Sequence, residues 1–281
     1  MGCDIGNPLF LLGNYIVEEA SLNLSITNSE NNEIVGEFVS FENSTIRFSG
    51  TGNILFIDKG VNLKRTNIYF NGSNSILYLS ESYKPYTVNL YINNNNIIFF
   101  GKNNYFNGVV NFISSESKNI FIGEGGLFSS GITVRNSDAH LIYDKTTKKR
   151  INESESIYIG DHVWLGQDVL VLKGCQIGSG SILGAASVVS NKRIPSNSAW
   201  AGNPAKKVRE NIYWSGECVH AWTNSETNKY LIKEDPFPVF FDEKSIPIDD
   251  FERNIMSIEN TQERIDYILK NFNNPRSRMF I

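Results

Sequence analysis

From Ile159 to Val189 an aliphatic side chain falls on every sixth position: Ile159, Leu165, Val171, Ile177, Leu183 and Val189. A second row, offset by four, holds the small or β-branched residues Val163, Val169, Cys175, Ser181 and Ser187, and glycine follows the aliphatic at Gly160, Gly166, Gly178 and Gly184. A period of six matches neither the helical repeat of about 3.6 nor the strand repeat of about 2, although it is a multiple of the latter. It describes a short strand and a turn, repeated, with one inward side chain per unit. Chains of this kind stack rungs into a β-solenoid whose neighbours bury a continuous core.

With 281 residues the chain has ample material for such a core and needs no disulfide staples. Its three cysteines, Cys3, Cys175 and Cys218, are odd in number and widely spaced. This disfavours a disulfide framework or a cysteine zinc site and suits a reducing, cytoplasmic compartment. The 30 acidic residues outnumber the 26 basic ones, a balance that argues against bulk nucleic-acid binding. Pro8–Leu12 is too short for a membrane span and lacks a basic leader, and Gly6 stands where a myristoylation signal needs Ser or Thr.

Short β-branched and aromatic runs between Asn- and Ser-rich turns carry the pattern back to about Glu33. Four overlay: Asn53–Ile57, Ser75–Leu79, Asn96–Phe100 and Asn119–Gly123. Asn suits such corners because it tolerates positive φ. A separate Asn-rich β-sandwich is the competing reading of this half. The expected organisation is an N-terminal segment 1–32, a solenoid domain 33–210 and a C-terminal extension 211–281. In the extension, Ile265, Ile268, Leu269 and Phe272 predict an amphipathic helix over 258–272, stopped before Pro275 and packed on the solenoid end.

The repeat breaks between Gly131 and Ile157, with an excursion over about 135–156. Long excursions from a solenoid map to the binding face. This one contains Ser137-Asp138-Ala139-His140, and a positioned histidine can deprotonate a hydroxyl near neutral pH. His162 opens the next hexad, two residues before Trp164, and His220 reads as a partly buried neighbour of aromatic residues. Asp138 could orient His140 or an acceptor hydroxyl, and Asn136 could contact the acceptor. The cations Lys145, Lys148, Lys149 and Arg150 read either as a solvated loop or as a patch that draws an anionic acceptor, with Lys149 the candidate contact.

Three segments in this order, Ser137–His140, Ile159-Gly-Asp-His-Val-Trp-Leu-Gly166 with the following hexads, and Ala201-Gly-Asn-Pro-Ala-Lys206, resemble the hexapeptide-repeat acyltransferases. The likeness spans roughly Ser129–Trp214 and is strongest toward galactoside, maltose and capsular sialic-acid O-acetyltransferases. It implies a left-handed parallel β-helix, against the usual right-handed crossover rule; with the inserted loop and the small helical extension read from the residues above, the expected fold class is all-β. It also implies a homotrimer with acetyl-CoA as co-substrate in the groove between subunits, no metal, and a carbohydrate acceptor such as an anionic surface polysaccharide. By the same resemblance His140 is the base and Trp164 the active-site tryptophan beside the cofactor. Gln167, Ala185 and Ser190 lie along the pantetheine arm, and Lys206 and Arg209 meet the phosphates. One segment departs: Val189-Ser-Asn-Lys-Arg-Ile-Pro195 is one residue longer than the family pattern, so neither Asn191 nor Lys192 is assigned.

The implied reaction is transfer of acetyl to a sugar hydroxyl. N-acetylation of an amino sugar and a non-catalytic glycan-binding solenoid are the alternatives. A metal hydratase like the γ-class carbonic anhydrases would need three converging histidines, and only His140 and His162 lie near the hexads.

Overall fold

A computed structural model describes residues 10–12, 15–17, 24–27, 31–272 and 279–281. Cys3 and most of the 1–32 segment lie outside them. The described chain winds as a parallel β-solenoid with three faces. The first face carries eight strands, from Glu33–Glu42 to Arg193–Ile194; the third carries eight, from Leu24–Thr27 to Val188–Val189. The second carries six, from Tyr105–Phe106 to Lys206–Arg209. The strand Leu24–Thr27 pairs in parallel with Ser44–Phe48, so the winding begins ahead of residue 33. It is one solenoid throughout, and the sandwich alternative falls.

Every inward row of the sequence pattern is buried. Ile159, Leu165, Val171, Ile177, Leu183 and Val189 are fully enclosed, as are Cys175, Ser181 and Ser187 of the second row. Burial pushes the Cys175 thiol up to about 11, so it stays a protonated core side chain. The coils are not uniform: one takes 22 residues between Ile54 and Ile76 and 18 between Ile159 and Ile177. The longer coils turn on asparagine, with Asn74, Asn95 and Asn103 at φ +57°, +55° and +58°. Asn67, Asn89 and Asn111 also form an amide ladder across coils at 2.9 and 3.0 Å. Three of the four overlaid runs stack as expected. The fourth slips by one residue, because Ile98, not Ile97, pairs with Ile120.

That first face is apolar on both sides. Its outward residues Phe56, Tyr78, Phe99, Phe121 and Tyr158 form an aromatic ladder. Two helices, Ile248–Ser257 and Thr261–Phe272, lie over it and bury Phe251, Ile255, Ile265, Ile268 and Phe272. The expected helix therefore begins at Thr261 rather than 258 and covers the flank of the solenoid rather than its end. The flank wins because the ladder offers a long apolar strip that only an amphipathic helix pair can shield. Glu252 anchors the first helix by accepting hydrogen bonds from Ser156 and Tyr158. At the last coil the strand Lys206–Arg209 returns antiparallel along Ala199–Ala201.

Candidate active site

The excursion leaves the corner between the third and first faces, after strand Thr133–Arg135 and before Ile157–Ile159. It is an ordered hairpin: Tyr143 bridges Arg150, and the Ile151 N–H donates to the Ile142 carbonyl at 2.9 Å. Asp144 closes its tip by accepting from the Thr146 and Thr147 backbone. Arg150 is the anchor, gripping Glu116 with two parallel bonds of 2.6 and 2.8 Å, while Ser154 donates to the same carboxylate. These partners hold the Glu116 carboxyl at about 2, far below its ordinary range. Arg150 is therefore withdrawn from the proposed cation patch, which leaves Lys145, Lys148 and Lys149 exposed at the tip.

His140 sits at the exposed base of this hairpin, held through its backbone. Asn152, nearly fully buried, donates from Nδ2 to the His140 carbonyl at 2.7 Å and to Asp138 Oδ2 at 3.0 Å, and its Oδ1 accepts from the Ile142 N–H at 2.8 Å. Lys173 of the next coil donates to Asp138 at 2.7 Å. The Lys173 and Asn152 hydrogen bonds lower the Asp138 carboxyl from its usual value, so it is ionised at neutral pH. Neither Asn152 nor Lys173 stood out in the sequence, since nothing in the local pattern marks a loop amide that will be buried or a turn lysine that will face a loop one coil away. Asn136 differs from expectation. It is fully buried, accepting from Ser115 N–H and donating to the Lys118 carbonyl, which makes it a corner of the coil rather than an acceptor contact.

Trp164 stands on the outward side of the second face, its register partners Leu127 and Ile182. Gln167 and Ala185 share the corner between the second and third faces, where the Ala186 N–H donates to the Gln167 carbonyl at 2.7 Å. Both alanines are exposed, so the corner is a shelf without bulky side chains. Lys206 and Arg209 are exposed on the returning strand beside it, and among the described residues neither makes an ion pair. Ser190 instead belongs to the His140 corner, because the adjacent Asn191 N–H donates to the Lys173 carbonyl. The candidates thus divide into two groups, His140, Asp138 and Ser190 at one corner and Trp164, Gln167, Ala185, Lys206 and Arg209 at another. The third face separates them within one chain.

His162 does something the sequence did not show. Its ring is sandwiched between Trp214, at 3.8 Å and an interplanar angle of 2°, and Phe237 at 4.6 Å. Nε2 faces the Trp214 carbonyl at 3.2 Å, which requires a donor there. The Trp214 indole N–H returns a bond to the His162 carbonyl at 2.9 Å. Burial lowers the His162 imidazole, so it is a neutral clamp for the extension rather than a base. Among the described residues no three His, Cys, Asp or Glu side chains gather as a metal site, and no helix is long and apolar enough to cross a membrane.

Coils and repeat together make the fold a left-handed parallel β-helix, and residues 156–191 match the family model "Bacterial transferase hexapeptide (six repeats)". Within that class the chain is similar to polysialic acid O-acetyltransferases. One from Escherichia coli O1:K1 / APEC is 45% identical over 84 residues, 30% of this chain and 27% of that protein. Another, from Neisseria meningitidis, is 40% identical over 91 residues, 32% of this chain and 42% of that protein. The chain therefore spans less than half the length of these curated relatives. The crystal structure of the polySia specific acetyltransferase NeuO superposes with a TM-score of 0.64 and 27% identity, covering 74% of this chain and 96% of that one. The polysialic acid O-acetyltransferase OatWY gives 0.57 and 25%, covering 74% and 100%.

Proposed function

We propose that the protein is an O-acetyltransferase that moves acetyl from acetyl-CoA to a hydroxyl of a sugar in a bacterial capsular or other surface polysaccharide. The observation that carries this reading is the break in the solenoid. At one corner an anchored hairpin presents His140 with its backbone tied to a buried amide and its ring left exposed. The nature of the relatives supports the acetyl donor and the glycan acceptor.

His140 takes the proton from the acceptor hydroxyl, and the oxygen attacks the thioester carbonyl. The carbon–sulfur bond then breaks, and His140 returns the proton to the departing CoA sulfur. The Trp164 indole N–H stands as a donor to the oxyanion formed on the way. The alanine shelf with Gln167 takes the pantetheine arm, and Lys206 and Arg209 take the phosphates. Lys149 and its neighbours attract an anionic acceptor.

Both groups of residues act together only if the His140 corner of one copy meets the Trp164 face of the next, with Ser190 brought to the pantetheine arm across the same junction. We therefore read the enzyme as a homotrimer. The hairpin supports this, since Leu141, Ile142, Tyr143 and Ile151 are all more than half exposed, an apolar surface that a neighbouring copy would cover. Free thiols at Cys175 and Cys218 fit a cytoplasmic enzyme.

The test is acetyl transfer from acetyl-CoA to a panel of capsule oligosaccharides, read by mass gain. His140→Ala is expected to abolish transfer with trimer and CoA binding intact, and Trp164→Ala to lower the rate without unfolding. Full activity in His140→Ala would put the base elsewhere.

A further inference from the structure

Trp164 is one member of a row. On the outward side of the second face it pairs in register with Leu127, which pairs with Tyr105. One coil further toward the N-terminus stands Tyr83, whose N–H donates to the Asn103 Oδ1 at 3.3 Å. Four large side chains thus succeed one another along the solenoid axis, spaced by the strand separation of about 4.8 Å per coil and covering about 14 Å. Tyr83, Tyr105 and Trp164 expose 83%, 39% and 38% of their surface. The first-face ladder contrasts with this, since its rings Tyr78, Phe99, Phe121 and Tyr158 are buried, and exposed rings in a row mark a contact surface.

The row is edged by polar groups on both long sides. Tyr105 donates its hydroxyl to Asn107 at 3.2 Å at one corner, and the Lys102–Glu81 pair lies at the other. Aromatic rings bordered by amides and hydroxyls suit a ligand with apolar C–H faces and hydroxyl edges, which is the chemistry of a pyranose ring. A strip one side chain wide is narrow for a protein partner, which needs about 800 Å² from each side for a stable contact. It does suit an extended chain.

We propose that Tyr83, Tyr105 and Leu127 form a track for an extended glycan whose reacting sugar lies at Trp164. The track sets a preference for polymeric over short acceptors. The inference rests on the reading of the site given above and adds the acceptor's length and direction: the chain runs from Trp164 toward the N-terminal coils.

The experiment compares the full-length protein with the double variants Tyr83→Ala/Tyr105→Ala and Tyr83→Phe/Tyr105→Phe. Acetylation is followed on polysialic acid fragments of graded length and on capsule oligosaccharides, with oligomeric mass measured by light scattering. For the alanine pair KM for long acceptors is expected to rise roughly ten-fold, the size expected for two lost ring contacts. The preference for long over short chains collapses, kcat holds, and the mass is unchanged. The phenylalanine pair keeps the preference. An unchanged length preference in the alanine pair overturns the track alone. So does loss of the assembly, which would make the row a contact between copies. A wild-type protein that acetylates no glycan overturns the function on which the track rests.

Discussion

Three of the four hexad glycines mark where the backbones of successive coils touch. A Cβ on Gly160 would lie 2.5 Å from Ser179 N, on Gly166 2.6 Å from Ala185 N, and on Gly178 2.5 Å from Ser196 N. The row continues backward, since a Cβ on Gly123 would meet Asp161 N at 2.6 Å. These glycines are needed for backbone approach between successive coils, which is why they recur in step with the inward aliphatic residue. Gly178→Val is accordingly expected to cost about 3 kcal/mol or more, because the opposing atom is backbone and cannot swing away. Gly216→Val, with nothing within 4 Å, serves as the near-neutral control in thermal or urea unfolding. At this scale the repeat was legible in the sequence because its cause is local geometry. Asn152 and Lys173 were not, because each acquires its role from a loop folded onto it.

Elements meet in two places that the sequence leaves open. In the hairpin, the depressed carboxyl of Glu116 means that its ionised form is favoured in the folded state. That contribution is complete above the ordinary glutamate range of about 4.3, and it fades as pH falls toward the folded value of about 2. Acidification from about 4 downward should therefore free the hairpin while the coils persist. The check is amide exchange of 141–151 against the coil amides, and Glu116→Gln should show the same loosening at neutral pH. Because the pair is partly exposed, its effect is local order rather than global stability. On the flank, Phe251 meets Phe121 edge-on at 5.0 Å and stacks on Tyr267 at 5.4 Å. Phe251→Ala should cost about 3–5 kcal/mol and lift the helix pair, exposing the aromatic ladder to dye binding. The ladder runs were visible as doubly apolar stretches such as Ile76–Leu79, yet their cover lies more than 150 residues onward, a pairing that no local pattern reveals.

For the whole molecule, the division of site residues between two corners carries the main consequence. If one copy supplies His140 and the next supplies Trp164, two crippled chains can repair each other. Mixing His140→Ala with Trp164→Ala chains, after denaturation and joint refolding, should restore roughly a quarter of the sites, as random assembly of a closed ring requires. Activity no greater than that of Trp164→Ala in the mixture would place both residues in one chain's site. The solenoid and its excursion were legible from the period and its break, and the candidate residues were named from motifs. Their separation by a face was not legible, since it depends on where each corner falls around the coil.

A parallel solenoid has no built-in length, because each coil presents a row of free backbone groups on which another could be laid. The antiparallel return of Lys206–Arg209 along Ala199–Ala201 changes that. It fills the open edge of the second face with a strand of opposite direction carrying three cations, and no further parallel coil from another molecule can continue the stack there. The strand that carries the proposed phosphate contacts also guards the fold against end-to-end polymerisation.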